Sequence, residues 1–82
     1  MELIFNNNTA EFHADKHFNI HLEGITKVEL YHRTSGSGWD YITDIDYDYE
    51  DVVDVDVVVN IPKDLKIITN ETPTMAVVTI NE

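Results

Sequence analysis

A two-residue hydrophobic period runs through most of this chain and leaves little choice of fold. In KHFNIHLEG the apolar residues Phe18, Ile20 and Leu22 alternate with His17, Asn19, His21 and Glu23. In TKVELYHR, Val28 and Leu30 alternate with Lys27, Glu29, Tyr31 and Arg33, and in VVDVDVVV the residues Val53, Val55, Val57 and Val59 enclose Asp54 and Asp56. Successive side chains of a strand point to opposite faces, so each pattern predicts a strand with one face buried and one in water. MELIF, GWDYITDI, DLKIIT and TMAVVTI add shorter β-rich runs, for about seven strands in all. NNNT, Gly24, TSGSG, Pro62 and NETP supply turn residues between them. No stretch carries the apolar spacing of a three-turn helix. The expected fold is all-β: a single antiparallel domain spanning residues 1–82, a sandwich or small barrel by the spacing of its strands and turns.

Length and charge restrict what such a domain does. A chain of 82 residues supports one hydrophobic core. It has no cysteine, which removes disulfides and thiolate metal sites, and a domain of this size then relies on its bare core, a carboxylate-bound cation or an oligomer. Sixteen acids against five lysines and arginines give a net charge of −11, which repels nucleic-acid phosphates and anionic membrane surfaces. MELIFNNNTAEF lacks the basic and long apolar regions of a signal peptide, and no apolar run approaches the roughly 20 residues of a membrane span. The expectation is a cytoplasmically folded protein with no nucleic-acid or membrane partner.

The densest chemistry lies in DIDYDYEDVVDVDVVV, residues Asp44 to Val59, where seven of sixteen residues are acidic. Asp44, Asp46 and Asp48 open like an EF-hand loop, but Tyr49 stands where the turn needs glycine and Val55 where it needs a bidentate glutamate. As loop or strand carboxylates the three are calcium candidates only in neighbouring pairs, since same-face residues on a strand lie about 6.6 Å apart. Paired-carboxylate catalysis needs a partly dry, concave site that splits two pKa values, and this alternation predicts the wet side of strands instead. Asp44, Asp46, Asp48, Glu50, Asp54 and Asp56 are expected to face water, with Ile45, Tyr47, Tyr49 and the odd-numbered valines inward. A row of aspartates also deters a valine-rich edge from pairing with another chain.

His13, His17 and His21 recur every fourth residue. On a helix His17 and His21 would be about 6 Å apart and on a strand about 13 Å, too far to share an ion. The alternation of Phe18, Ile20 and Leu22 selects the strand, and no histidine–carboxylate or histidine–serine constellation is evident. His32 reads as a packing residue near a hairpin tip. That hairpin is the clearest local signal: VELYHR and WDYI flank the Gly/Ser run TSGSG. Trp39 and Tyr41 share a parity and are expected to face inward with Val28 and Leu30, Trp39 anchoring the core.

The strand VELYHR, the tip TSGSG, Trp39 and the following Ile42 resemble the hairpin of small Ig-like sandwich proteins and domains of tailed-phage particles. NIPKDLKIIT and TPTMAVVTI resemble their closing strands, so the likeness covers roughly residues 26 to 80. Such tips often read Asp-Gly-Gly-x-x-Trp, whereas this one is Ser35-Gly36-Ser37-Gly38-Trp39, and Ile67 and Ile68 stand where an arginine is common. The resemblance implies a non-enzymatic virion accessory protein: an auxiliary or decoration subunit that assembles in the host cytoplasm. It would bind the major capsid protein or another virion protein in many copies, through loops, termini and sheet edges and without a cofactor. An apolar chain end is ordered only where something holds it, which makes Met1, Leu3 and Phe5 candidate partner contacts beside Trp39 and Tyr41. The competing expectation is an Ig-like module for a glycan or receptor, with Trp39, Tyr41, Tyr47 and Tyr49 as stacking surfaces and calcium ordering its loops. Exposure of those rings separates the two.

Overall fold

The computed structural model describes residues 1–34, 38–46 and 52–80. Its strands are β1 (Thr9–Ala14), β2 (Phe18–Glu23), β3 (Lys27–Arg33), β4 (Asp40–Asp46), β5 (Val52–Val57), β6 (Lys63–Thr69) and β7 (Met75–Ile80). They form two antiparallel sheets, ordered β1-β6-β3-β4 and β5-β2-β7. The described residues contain no helix. The expected all-β sandwich is therefore what the chain adopts.

Seven strands were expected and seven form, but one of them differs. MELIF is not a full strand: Glu2 alone bridges to Val77, with Leu3 N–H donating to Ala76 O and Val78 N–H to Met1 O. The first true strand is Thr9–Ala14, whose inward residues Ala10 and Ala14 are too small to give a strong hydrophobic signal. Between the two lies a tight hairpin turn at Asn6–Thr9, closed by reciprocal backbone bonds. Asn7 (φ 52°) and Asn8 (φ 63°) both occupy the left-handed region, as a two-residue type I′ turn demands. Asparagine tolerates that region, which is the physical reason for NNNT here. The turn carries the chain from the β7 edge across to the other sheet. As a result β1 lies beside β6 and β7 beside β2, whereas the constant-type immunoglobulin order sets the first strand by the second and the last by the sixth. The central pairs, β2 with β5 and β3 with β6, follow the immunoglobulin order.

The inner faces meet in one core. Phe18, Leu22, Leu65, Ile67 and Val78 are fully buried, joined by Ile20, Ile25, Val28, Leu30 and Val53. Each such side chain removed from water contributes about 1.5–3 kcal/mol. Phe12 of β1 packs edge-on against Phe18 of β2, ring centroids 5.2 Å apart, and ties one sheet to the other. At the β2–β3 corner Gly24 has φ +86°, and a Cβ there would lie 2.8 Å from Thr74 Oγ1, so the corner requires glycine. Asn70 Oδ1 accepts the Thr26 and Lys27 N–H groups, stitching the NETP turn to the same corner.

Candidate functional site

The outer face of the four-stranded sheet brings together aromatic and cationic groups from β3, β6 and the start of β4. Strand alternation turns Tyr31 and Arg33 of β3 outward with Asp64 and Lys66 of β6 and Glu11 and His13 of β1, because their neighbours Leu30, Leu65, Ala10 and Ala14 are buried. On β4 the register slips between Leu30 and Tyr31, so that Leu30 pairs with Thr43 and Tyr31 with Tyr41. This irregularity sets Tyr41 on the outer face. Tyr31 and Tyr41 meet edge to face, centroids 5.8 Å apart. Trp39, at the end of the hairpin, carries the Arg33 guanidinium 4.3 Å from its ring centre and Lys66 Nζ at 4.8 Å, and Lys66 also lies 4.9 Å from Tyr31. Trp39, Tyr31 and Tyr41 thus form a row in which Lys66 bridges Trp39 to Tyr31, the two tyrosines touch directly and Arg33 covers Trp39.

The inward placement expected for Trp39 and Tyr41 is corrected by this geometry. Tyr41 is 54% exposed, and half-buried Trp39 lies outside the core cluster. The slip in register reverses the parity that the uninterrupted alternation would have carried through.

Carboxylates frame the row and tune it. Tyr41 O–H donates to Asp44, and that bond, followed by partial burial, pushes its pKa up to about 12. Partial burial, followed by the bond to Glu29 (3.2 Å), raises Tyr31 above its ordinary value. Asp64 joins three strands: His13 Nδ1 lies 3.0 Å from one oxygen and Arg33 Nε donates to the other at 3.2 Å. These partners, His13 first, hold Asp64 below the ordinary carboxylate value. Such exposed pairs fix side-chain geometry more than they stabilise the fold. The result is a preset platform of rings, cations and acceptors.

The three-stranded sheet has a different outer face. His21 bridges Asp54 and Glu23, and Asn19 donates to both Asp54 and Asp56. Asp54 and Asp56 face water while Val53 is buried, as the alternation predicts. Asp44 is likewise exposed. Of the other calcium candidates, Asp48 lies outside the described residues, as does the side chain of Asp46; Tyr47 and Tyr49 also lie outside them. Among the described residues no three histidines or acids converge to hold a metal ion. His13 lies on β1, His17 in the β1–β2 connection and His21 on β2, with separate partners, Asp64, the Val59 N–H and the Asp54–Glu23 pair. The sequence showed no histidine–carboxylate constellation, yet three such contacts form: register across strands creates His13–Asp64 and His21–Asp54, while His21–Glu23 joins same-face neighbours two residues apart on β2.

The apolar N-terminus divides in its placement. Leu3 is buried in the chain's own core and Phe5 packs against it, while Met1 is 58% and Ile4 86% exposed. Between this segment and residues 72–77 lies an open hollow of about 340 Å³, lined in part by Phe5, Pro73 and Met75. In comparisons with known proteins, the chain matches no protein-family model, no curated protein and no solved structure.

Proposed function

We propose that this chain is a non-enzymatic interaction domain that docks onto a larger assembly through the outer face of its four-stranded sheet. The observation that carries the reading is the row Trp39, Tyr31 and Tyr41, placed outside the core and held by Arg33 and Lys66. Tryptophan, tyrosine and arginine are the side chains that most often dominate binding at protein interfaces. Here the rings and cations hold one another, which lowers the entropy lost on docking. Phe5, Pro73 and exposed Met75 in the lining of the N-terminal hollow, with exposed Met1 and Ile4 on the same terminal segment as Phe5, offer a second apolar contact. The resemblance of the β3–β4 hairpin and closing strands to phage Ig-like proteins suggests what the assembly is. In this reading the chain is an auxiliary or decoration subunit, bound in many copies to the major capsid protein or another virion protein. The test is size fractionation of the native source with the chain quantified in each fraction. Recovery at many copies in a megadalton particle supports the reading, and recovery only as a free small protein removes it.

Exposure of Tyr41 favours a second reading, a glycan- or receptor-binding module. An exposed ring beside carboxylate acceptors (Asp44 and Glu29) suits stacking against a sugar with hydrogen bonds to its hydroxyls. A glycan array probed with wild type and Tyr41→Ala separates the readings. Loss of a wild-type glycan signal in the variant supports the module, and the absence of any wild-type signal removes it.

A further inference from the structure

The bridge across β2 and β5 is built for a doubly protonated imidazole. His21 Nδ1 lies 3.0 Å from Asp54 Oδ2 and Nε2 lies 2.8 Å from Glu23 Oε2. A neutral imidazole has one N–H, so in that form one of these contacts would set a lone pair against a carboxylate. Asp54 is the register partner of His21, and its other oxygen accepts Asn19 Nδ2 at 2.6 Å, which also donates to Asp56 at 3.0 Å.

The charged side chains on the strands around the ring are all negative. On β5 they are Asp54 and Asp56, and on β2 Glu23. From β7 the neighbours are Val77, Thr79 and Met75, without charge, and beyond them Glu2 is bridged to Val77. A nearby cation off those strands, the Met1 ammonium, lies beyond β7, donating to Val78 O at 2.7 Å. None of these three strands carries a lysine or arginine. Protonated His21 is therefore the one cation that β2, β5 and β7 themselves supply to this face.

β5 is where a lost proton would matter. It is the edge of its sheet, pairing only with β2 among the described residues, and only Val53 of its inward valines is fully buried. Beneath it a narrow seam between the two sheets is lined by Ile20 and Leu22 of β2, Val28 and Leu30 of β3, Thr43 of β4, and Val53 and Val55 of β5.

We propose that His21 is a proton-operated latch that holds β5 on the sheet, closed while the ring carries both protons and loosened, opening the apolar seam, when one leaves. The electrostatics agree in sign. Asp54 first and Glu23 second raise the pKa of His21 above 6.5, while Asn19 first and His21 second lower that of Asp54 below 3.8. A group whose folded pKa is raised contributes its stabilisation fully below its unfolded value, here 6.5, and loses it as pH rises through the folded value. The latch thus opens on the alkaline side of 6.5.

Amide hydrogen exchange of the full chain, corrected for intrinsic rates, is measured from mildly acid to alkaline pH with NMR titration of the histidine rings. The expected result is a His21 midpoint above 6.5 and a selective loss of β5 protection. That loss should approach about tenfold for each pH unit crossed between 6.5 and the midpoint, while β3 and β6 keep theirs. His21→Gln should abolish the pH dependence in β5, and His13→Gln, on the other sheet, should leave it in place. A His21 midpoint at or below 6.5, or a β5 pH dependence unchanged in His21→Gln, would overturn the proposal. If His21→Gln fails to fold, the ring titration and the β5 exchange of the wild-type protein decide it alone.

Discussion

Replacing Trp39 with alanine distinguishes a ring on the binding face from a ring in the core. A core tryptophan truncated to alanine costs about 3–5 kcal/mol, because a cavity is left behind. Here the ring is half-buried and its contacts are Arg33 at 4.3 Å and Lys66 at 4.8 Å. Cation–π contacts at exposed sites contribute about 0.5–1 kcal/mol each. Their loss leaves Arg33 still paired with Asp64 and Lys66 still over Tyr31, with no charge buried. The expected cost is therefore about 1–2 kcal/mol, a shift of the urea midpoint by about 1 M for a small domain. Because Trp39 is the sole tryptophan, unfolding is followed by far-ultraviolet circular dichroism rather than fluorescence. The same variant should lose about thirtyfold or more in affinity for the assembly that the wild type binds, the magnitude of an interface hot spot. A cost above 3 kcal/mol would place the ring in the core and refute the reasoning; unchanged binding would remove Trp39 from the docking face.

Other outcomes follow from the same geometry. Gly24→Ala should destabilise by about 2–3 kcal/mol in a thermal melt, combining a left-handed φ for a residue with a Cβ and displacement of Thr74, whose N–H bonds Glu23 O at 2.8 Å. In an ultraviolet difference titration one tyrosine, Tyr41, should ionise only near pH 12, and Asp44→Asn should return its midpoint toward 10.0. Asp64 has a depressed folded pKa, so the stabilisation it contributes is present above its unfolded value of 3.8 and lost as pH falls through the lowered value. Asp64→Asn should therefore be less stable than wild type at neutral pH, with the gap closing as the medium is acidified below 3.8; a gap that persists in strong acid would disprove the linkage.

Much of the architecture follows from local pattern. A period of two assigns Phe18, Ile20, Leu22, Val28, Leu30 and Val53 to the core and Asp54 and Asp56 to water, because strand geometry alone alternates the faces. The asparagines of NNNT and the glycine at position 24 mark turns through backbone conformations that few other residues tolerate. β1 leaves little trace in the sequence because Ala10 and Ala14 give a faint hydrophobic signal, although both are buried.

The candidate site was less legible, since pairing between distant strands makes it. One slip in the β3–β4 register moves Tyr41 outside, and no local feature of WDYI announces it. Lys66 reaches Trp39 only because β3 and β6, some thirty residues apart in sequence, are neighbours, whereas Arg33 meets Trp39 within the β3–β4 hairpin. His13 with Asp64, and His21 with Asp54, are likewise products of register. The sequence by itself determined the layers, the turns and the wet and dry faces, which depend on each residue and its nearest neighbours. Tertiary structure alone decided which strands adjoin, and hence which rings, cations and carboxylates meet, because strand order and register are properties of the whole chain.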